Sequence, residues 1–421
     1  MSDPSGARLD RVLTLGPAVG LAVTMVVGSG LLVLPGLVYR NAGDAALLSW
    51  VVAALVVAPV LVAIASLGAS YPSAGGISGF VRPTLGDRWA RSAELVFLGS
   101  VPGGGGLALV GGNLLADLFG PEWLVAAGAV AVLALGWAVN RAGARLGARL
   151  QQVLSLTFVV GLGVVSIAAL AEGGPGPGVT VPDDPGLAIG QLSLVFFAFA
   201  GWELMAFTSE EFVNPRRDFP LMVGLSFVAV TLLYLVLAAA LQTALATTDP
   251  DLETAPISAL AEVAFGDAGR ALITVLGLVI VSANVNGVVW ALSRLTYSAA
   301  REGTLPASLT RTDARNVPGP AVTAVVLAFA VFVLIERLGW VELETLFRLA
   351  AACIFAGLIL AAAAFVAHTE GWRRAFAVVT LLITVVTFAS FGLIAMYPVA
   401  LAALGWSLRP NGGRRSDGAV G

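Results

Sequence analysis

Apolar residues run along this chain in long blocks, separated by short stretches rich in charge, glycine and proline. The blocks fall near 15–39, 45–69, 92–118, 122–139, 151–171, 188–211, 219–246, 269–298, 320–336, 345–367, 373–389 and 391–407. A helix needs about 20 apolar residues to cross a bilayer, and most blocks approach that length. The last two could be one bent helix. At about 1.5 Å per residue, however, 373–407 is too long for one crossing, and Phe391-Gly392 and Pro398 offer break points. The pattern predicts twelve membrane helices in a single domain, 1–421.

Composition makes the same point. Of 421 residues, 58% are hydrophobic and only 12% charged, against about 25% charged in soluble domains. The lipid bilayer is therefore the solvent, and the net charge of −3 gives no basis for nucleic acid as a partner. One cysteine, Cys353, and one histidine, His368, cannot build a disulfide, a zinc site or a haem site, so no cofactor or metal is expected. Cys353 reads as packing and His368 as interfacial. The polar N-terminus leads into a long apolar segment, unlike a cleavable signal peptide. No nucleophile–base pair or phosphate loop is present; Gly103 to Gly106 lacks the lysine that would follow. An enzyme is not expected.

All 23 basic residues are arginine, with no lysine in the chain. With the N-terminus inside, 19 of them (Arg8, Arg11, Arg82, Arg88, Arg91, Arg141, Arg145, Arg149, Arg216, Arg217, Arg294, Arg301, Arg311, Arg315, Arg373, Arg374, Arg409, Arg414 and Arg415) fall on the cytoplasmic side. Arg40, Arg270 and Arg337 fall outside, and Arg348 lies near the outer end of the tenth block. Basic residues favour the cytoplasmic face, so both termini are expected inside the cytoplasmic membrane. The acidic stretch 247–268 and the glycine- and proline-rich stretch 172–187 then fall outside. Trp89, Trp123, Trp340, Trp372 and Trp406 sit at block ends, where indoles favour the interface.

Three glycine clusters interrupt the blocks: Gly28-Ser29-Gly30 in the first, Pro102 to Gly106 in the third, and Ala200-Gly201 in the sixth. Any one alone could serve close helix packing. The first and sixth occupy matching places in two five-helix halves, which is the sequence pointer to an inverted-repeat transporter. Unwound backbone is tolerated at that depth only around a cavity. Its N–H groups favour a carboxylate and its carbonyls an ammonium, which suits a zwitterion. Glu203 follows the sixth-block break, and a carboxylate near the helix centre costs about 2.5–3.5 kcal/mol on insertion scales. It is the candidate for coupling or gating; otherwise it serves only to cap loose backbone. Arg348 is expected to snorkel to the interface, and Glu94 and Asp117 lie near block ends. Asn284 and Asn286 are two apart and cannot share a helix face. Asn286 and Pro102 are the candidate pocket residues outside the two breaks.

Four motifs resemble the amino acid–polyamine–organocation superfamily over nearly the whole chain. They are Gly28-Ser29-Gly30 with Leu34-Pro35-Gly36; Tyr71 to Gly76; Phe197 to Glu203 with Glu210-Glu211 and Asn214 to Pro220; and Ser293 to Tyr297 with Arg301 to Pro306. Within the superfamily the chain is most similar to bacterial exporters of L-methionine and branched-chain amino acids, on Ser100-Val101-Pro102, Tyr71 to Gly76, Asn214 to Pro220 and the short final pair of blocks. The resemblance implies an all-α membrane fold, a LeuT-like five-plus-five inverted repeat with two extra helices: 15–171 as the first repeat, 188–367 as the second, and 373–407 added. It implies a substrate site of Met25, Val26, Gly28, Ser29, Gly30, Leu31, Phe197, Ala198, Phe199, Ala200, Gly201 and Trp202. The substrate carboxylate would meet amides at Ser29, Gly30 and Leu31, and its ammonium carbonyls near Met25, Val26, Phe197 and Ala200. Phe199 and Trp202 would line or cap the pocket. Many proton-coupled relatives carry a lysine in the fifth helix where this chain has Phe158, which leaves Glu203 or another group to carry any coupling.

The reading is a secondary transporter of neutral, apolar amino acids, exporting them against inward proton movement. An importer by proton symport is the alternative of the same class, and a non-transporting sensor with the same fold that of another class. Sodium is the alternative coupling ion, with Ser282 as a ligand.

Overall fold

Every one of the twelve apolar blocks carries helix. The structure, a computed structural model, describes residues 13–71, 76–142, 148–205, 212–301, 303–313 and 317–408. The motif residues Pro72 to Gly75, Glu210-Glu211 and Glu302 lie outside these, as do Arg8, Arg11, Arg145, Arg315, Arg409, Arg414 and Arg415. The first block forms α1 (Leu15–Val26) and α2 (Leu34–Ala42), joined by a 3-10 turn at Ser29–Leu32. Next come α3 (Ala46–Ser70), α4 (Gly76–Leu85), α5 (Asp87–Leu98), α6 (Val101–Phe119), α7 (Trp123–Ala142) and α8 (Ala148–Glu172). The sixth block forms α9 (Gly186–Gly190), α10 (Leu192–Ala198) and α11 (Trp202–Met205). The remainder is α12 (Pro215–Ala244), α13 (Pro256–Arg301), α14 (Gly319–Arg337), α15 (Leu343–His368), α16 (Gly371–Ala389) and α17 (Met396–Ser407).

Local chemistry sets these boundaries. Proline stands in the first two positions of α2, α6, α12 and α14, where its missing N–H has no intrahelical partner to lose. Glycine at φ +63 (Gly392) ends the run after α16, so the last two blocks are separate helices. Gly266 (φ +66) kinks α13. The stretch expected as an acidic loop, 247–268, is thus helical from Pro256 onward, because only a glycine-permitted bend separates it from the eighth block.

Eight helical runs among the described residues are long and apolar enough to cross a bilayer. Their outer faces carry large exposed apolar side chains, among them Leu55, Leu135, Leu232, Leu272 and Leu327, which would be a liability in water and suit lipid. Trp89, Trp123, Trp340, Trp372 and Trp406 are exposed at helix ends as expected. Inside, small residues let backbones meet. A side chain at Gly128 of α7 would lie 2.8 Å from Gly112 Cα of α6, which is the small-residue packing of membrane helices.

Two polar networks tie helix ends on the side assigned outside. Arg348 of α15 does not snorkel. It donates to Glu344 (2.6 Å), Gln191 (2.9 Å), the Gly190 carbonyl (3.0 Å) and Ser193 (2.5 Å), and Asn41 in α2's last turn donates to Glu344 (2.8 Å). Arg270 of α13 pairs with Asp117, Asp251 and Glu262, while Thr274 donates to Asp117 (3.0 Å). Asp117 is thus a tether between α6 and α13. Glu94 is likewise paired, with Arg82 (3.1 Å), and His368 lies 3.1 Å from the Tyr71 hydroxyl.

Candidate functional site

The two broken helices meet at their breaks. In the first, the Gly28 N–H closes a tight turn on the Val26 carbonyl (2.7 Å), Gly28 is extended (φ −91, ψ −177), and the 3-10 turn follows. In the sixth, α10 ends at Ala198 and Gly201 takes φ +130, a conformation L side chains rarely adopt. Gly201 is needed twice over. A Cβ there would stand 2.9 Å from Val26 Cα and 3.0 Å from the Met25 carbonyl oxygen. Gly30 sits as closely against the sixth helix, its absent Cβ only 3.1 Å from the Phe197 ring.

A cavity of about 130 Å³ opens at this meeting point. The backbone and small residues of both breaks line it: Met25, Val26, Gly28, Gly30 and Leu31 from the first, and Phe197, Ala198, Ala200 and Gly201 from the sixth. Glu203 also lines it, and its carboxylate accepts the Gly201 N–H (2.8 Å). It therefore caps the break and faces the cavity at once. The 3-10 turn at Ser29–Leu32 brings its amides to the first break, the Leu31 N–H already donating to the Gly28 carbonyl (3.1 Å), and the carbonyls closing α1 and α10 give negative ends. The Val26 and Phe197 carbonyls, expected to receive an ammonium, already accept N–H groups from Gly28 and Ala200.

Four expected residues lie elsewhere. Phe199 and Trp202 turn away from the cavity into an aromatic cluster with Trp50, Phe227 and Tyr234, and the Trp202 indole donates to Ser226 (3.0 Å). Phe199 lies two residues past Phe197 and Trp202 one past Gly201, and across the break those steps turn them to the other side. Pro102 starts α6 but does not line the cavity. The third helix breaks before it, at Gly99-Ser100, and Gly103 to Gly106 are helical. Those glycines admit bulky neighbours: Gly103 faces the Phe197 ring and Gly106 the Phe347 ring. Asn286 also points away, receiving the Asn140 amide (2.8 Å) across to α7. Ser29 opens the 3-10 turn.

Sequence reasoning missed Asn284 and Ser100, which do line the cavity. Asn284 faces Gly28, where a Cβ would lie 2.8 Å from its amide nitrogen. The two-residue spacing said that only one asparagine could face inward, and the structure picks the other one. Ser100 could have been found as the residue between a glycine and the helix-opening Val101-Pro102. The remaining wall is apolar: Phe97, Leu107, Val288, Ala291, Leu292 and Ile354. No group of three or more His, Cys, Asp or Glu among the described residues could hold a metal. The Ser282 hydroxyl donates to the Leu278 carbonyl one turn back (2.9 Å).

The amino acid permease family model matches residues 13–408. The L-methionine/branched-chain amino acid exporter YjeH of Escherichia coli K12 is 28% identical over 411 residues, 96% of this chain and 97% of that protein. The mouse large neutral amino acids transporter small subunit 2 is 28% identical over 351 residues, 76% of this chain and 64% of that protein. Among solved structures, MhsT in complex with L-phenylalanine superposes with a TM-score of 0.65 at 14% identity, covering 93% of this chain and all of that one. That likeness gives the LeuT-like fold.

Proposed function

This chain belongs to the amino acid permease family of membrane transporters, and from that premise we propose that it moves neutral, apolar amino acids across the cytoplasmic membrane, exporting them in exchange for protons. One observation carries the reading: two broken helices meet at a small cavity that pairs zwitterion-binding backbone with an apolar wall. Amides of the 3-10 turn, at Ser29, Gly30 and Leu31, receive the substrate carboxylate. Carbonyls at the breaks receive its ammonium. The aliphatic and aromatic residues across from them receive the side chain, with Glu203 the single carboxylate among the lining residues.

The proposed site consists of Met25, Val26, Gly28, Ser29, Gly30, Leu31, Phe197, Ala198, Ala200 and Gly201, with Asn284 and Ser100 added and Glu203 as the coupling group. The likeness to YjeH supports methionine and branched-chain substrates and the outward direction. Twelve crossings with both termini in the cytoplasm complete the proposal, 15–171 and 188–367 forming the repeats. Counterflow into proteoliposomes tests the substrate class. Methionine and leucine should exchange, and arginine and putrescine should not; preference for the cationic pair would overturn the apolar-pocket assignment. An outward-directed rate that rises with an inward proton gradient tests direction and coupling, and a response to sodium alone would replace the proton.

A further inference from the structure

On the side assigned inside, the start of α5 and the end of α17 cross at close range. Gly405 permits the crossing: a Cβ there would stand 2.7 Å from Ser92 Cα and 2.9 Å from the Arg91 carbonyl oxygen. The Ser92 hydroxyl donates to the Ala402 carbonyl (2.8 Å) and joins the two helices. The next residue, Trp406, meets Trp89 edge to face, with 4.7 Å between ring centroids. Both indoles stay at the surface, 39% exposed for Trp89 and 41% for Trp406. The Arg88 guanidinium lies over the Trp406 ring, 5.4 Å from its centre. Arg91, three residues on, shares that face of α5, and its Nε is buried without a hydrogen-bond partner. The nearby carboxylates, Asp87 and Glu94, are both paired with Arg82. Among the described residues, therefore, no carboxylate balances Arg88 or Arg91. From the ring pair, Met396, Val399, Ala403 and Trp406 are exposed at spacings of three, four and three. They form one apolar face of α17 that leads toward the membrane centre.

We propose that this patch binds one anionic phospholipid of the phosphatidylglycerol type. Its phosphate sits on Arg88 and Arg91, whose planar forks match phosphate oxygens. Its glycerol backbone rests on the Trp89–Trp406 pair, at the depth where indoles meet headgroups. One acyl chain follows the exposed face of α17. Basic pockets between membrane helices on the cytoplasmic side suit anionic headgroups. A zwitterionic lipid would instead bring an ammonium to a patch that already holds two unbalanced positive charges. Phe97 of the same helix lines the cavity, so the lipid stands at the foot of a helix that shapes the pocket.

The test holds purified full-length protein on a support in neutral detergent and measures retention of acyl-chain-labelled phosphatidylglycerol. Unlabelled phosphatidylglycerol should displace the label; phosphatidylcholine or sodium phosphate in large excess should not. Arg88→Gln and Arg91→Gln should each raise the apparent Kd roughly fivefold, the worth of one basic residue near a lipid headgroup. The double variant Arg373→Gln, Arg374→Gln removes two exposed charges on the same side of the protein and should bind as the wild type does. Equal displacement by phosphatidylcholine overturns the proposal, and so does displacement by phosphate, which would make the patch a site for the free anion. An unchanged Kd in Arg88→Gln, or an equal loss in the double variant, overturns it as well. Arg88 is exposed, so its variant decides the matter even if Arg91→Gln does not fold.

Discussion

Glu203 has two duties that one substitution can separate. Its carboxylate accepts the Gly201 N–H, and a glutamine carbonyl can accept the same bond. Glu203→Gln should therefore be purified in normal yield and keep methionine counterflow. Transport driven by a pH gradient should fall by at least roughly tenfold, the equivalent of about 1.4 kcal/mol in a rate-limiting step. Unchanged driven transport would leave Glu203 as a cap alone. Gly201 tests the backbone in the same way. An added methyl meets both a positive φ and a contact of 2.9 Å with Val26 Cα, so Gly201→Ala should cost about 1–3 kcal/mol. Gly224 of α12 is the control. Nothing stands within 4 Å of its absent Cβ, and Gly224→Ala should be neutral or stabilise by up to about 1 kcal/mol. Thermal unfolding of the two purified variants reads the difference; equal midpoints would count against the strain assigned to Gly201.

The helices themselves were legible in the sequence, because lipid forces every spanning segment to be apolar and to satisfy its own backbone. The breaks in the first and sixth helices were legible as glycine clusters at matching places. What stayed hidden was helical phase. The hydrophobic pattern of a helix buried all round carries little phase information, so Asn286 could not be told from Asn284, nor Trp202 from Gly201, before the packing of α7, α12 and α13 was known. The third-helix break was misplaced for a related reason: glycine serves both unwinding and close packing, and Gly103 to Gly106 serve packing. The Arg348 network was hidden because it joins α15 to two distant segments. That network latches α15 to the start of the sixth block and, through Asn41, to the end of α2. Arg348→Met keeps the apolar stem and removes the latch. In a Cys353→Ala background, a Ser100→Cys reporter in the cavity should then react faster with an impermeant maleimide added outside. An unchanged labelling rate would mean that the latch does not control outer access.

Across the whole molecule, charge is distributed by pairing as well as by number. The four arginines near the outer face are all ion-paired: Arg40 with Glu253, Arg270 with Asp117, Asp251 and Glu262, Arg337 with Glu122, and Arg348 with Glu344. On the side assigned inside, Arg82 is ion-paired with Asp87 and Glu94, and Arg88, Arg294, Arg301 and Arg373 lie over the rings of Trp406, Trp290, Tyr297 and Trp372.

The topology has a direct test in the same single-cysteine background. Cys353 is buried with its sulfur against Gly99, and Cys353→Ala should cost only about 1 kcal/mol. Val181, 90% exposed between α8 and α9, is placed outside. Arg311, exposed between α13 and α14, is placed inside. Val181→Cys should react with an impermeant maleimide on intact cells, and Arg311→Cys only after permeabilisation. Between the two positions lie the broken sixth helix, α12 and α13. The last two are each long enough to cross the membrane alone; the sixth block is not among the eight runs that are. Labelling from opposite sides therefore requires that α9, α10 and α11 together make a crossing, with unwound backbone at its centre. Labelling from the same side would remove that crossing and the midplane site with it.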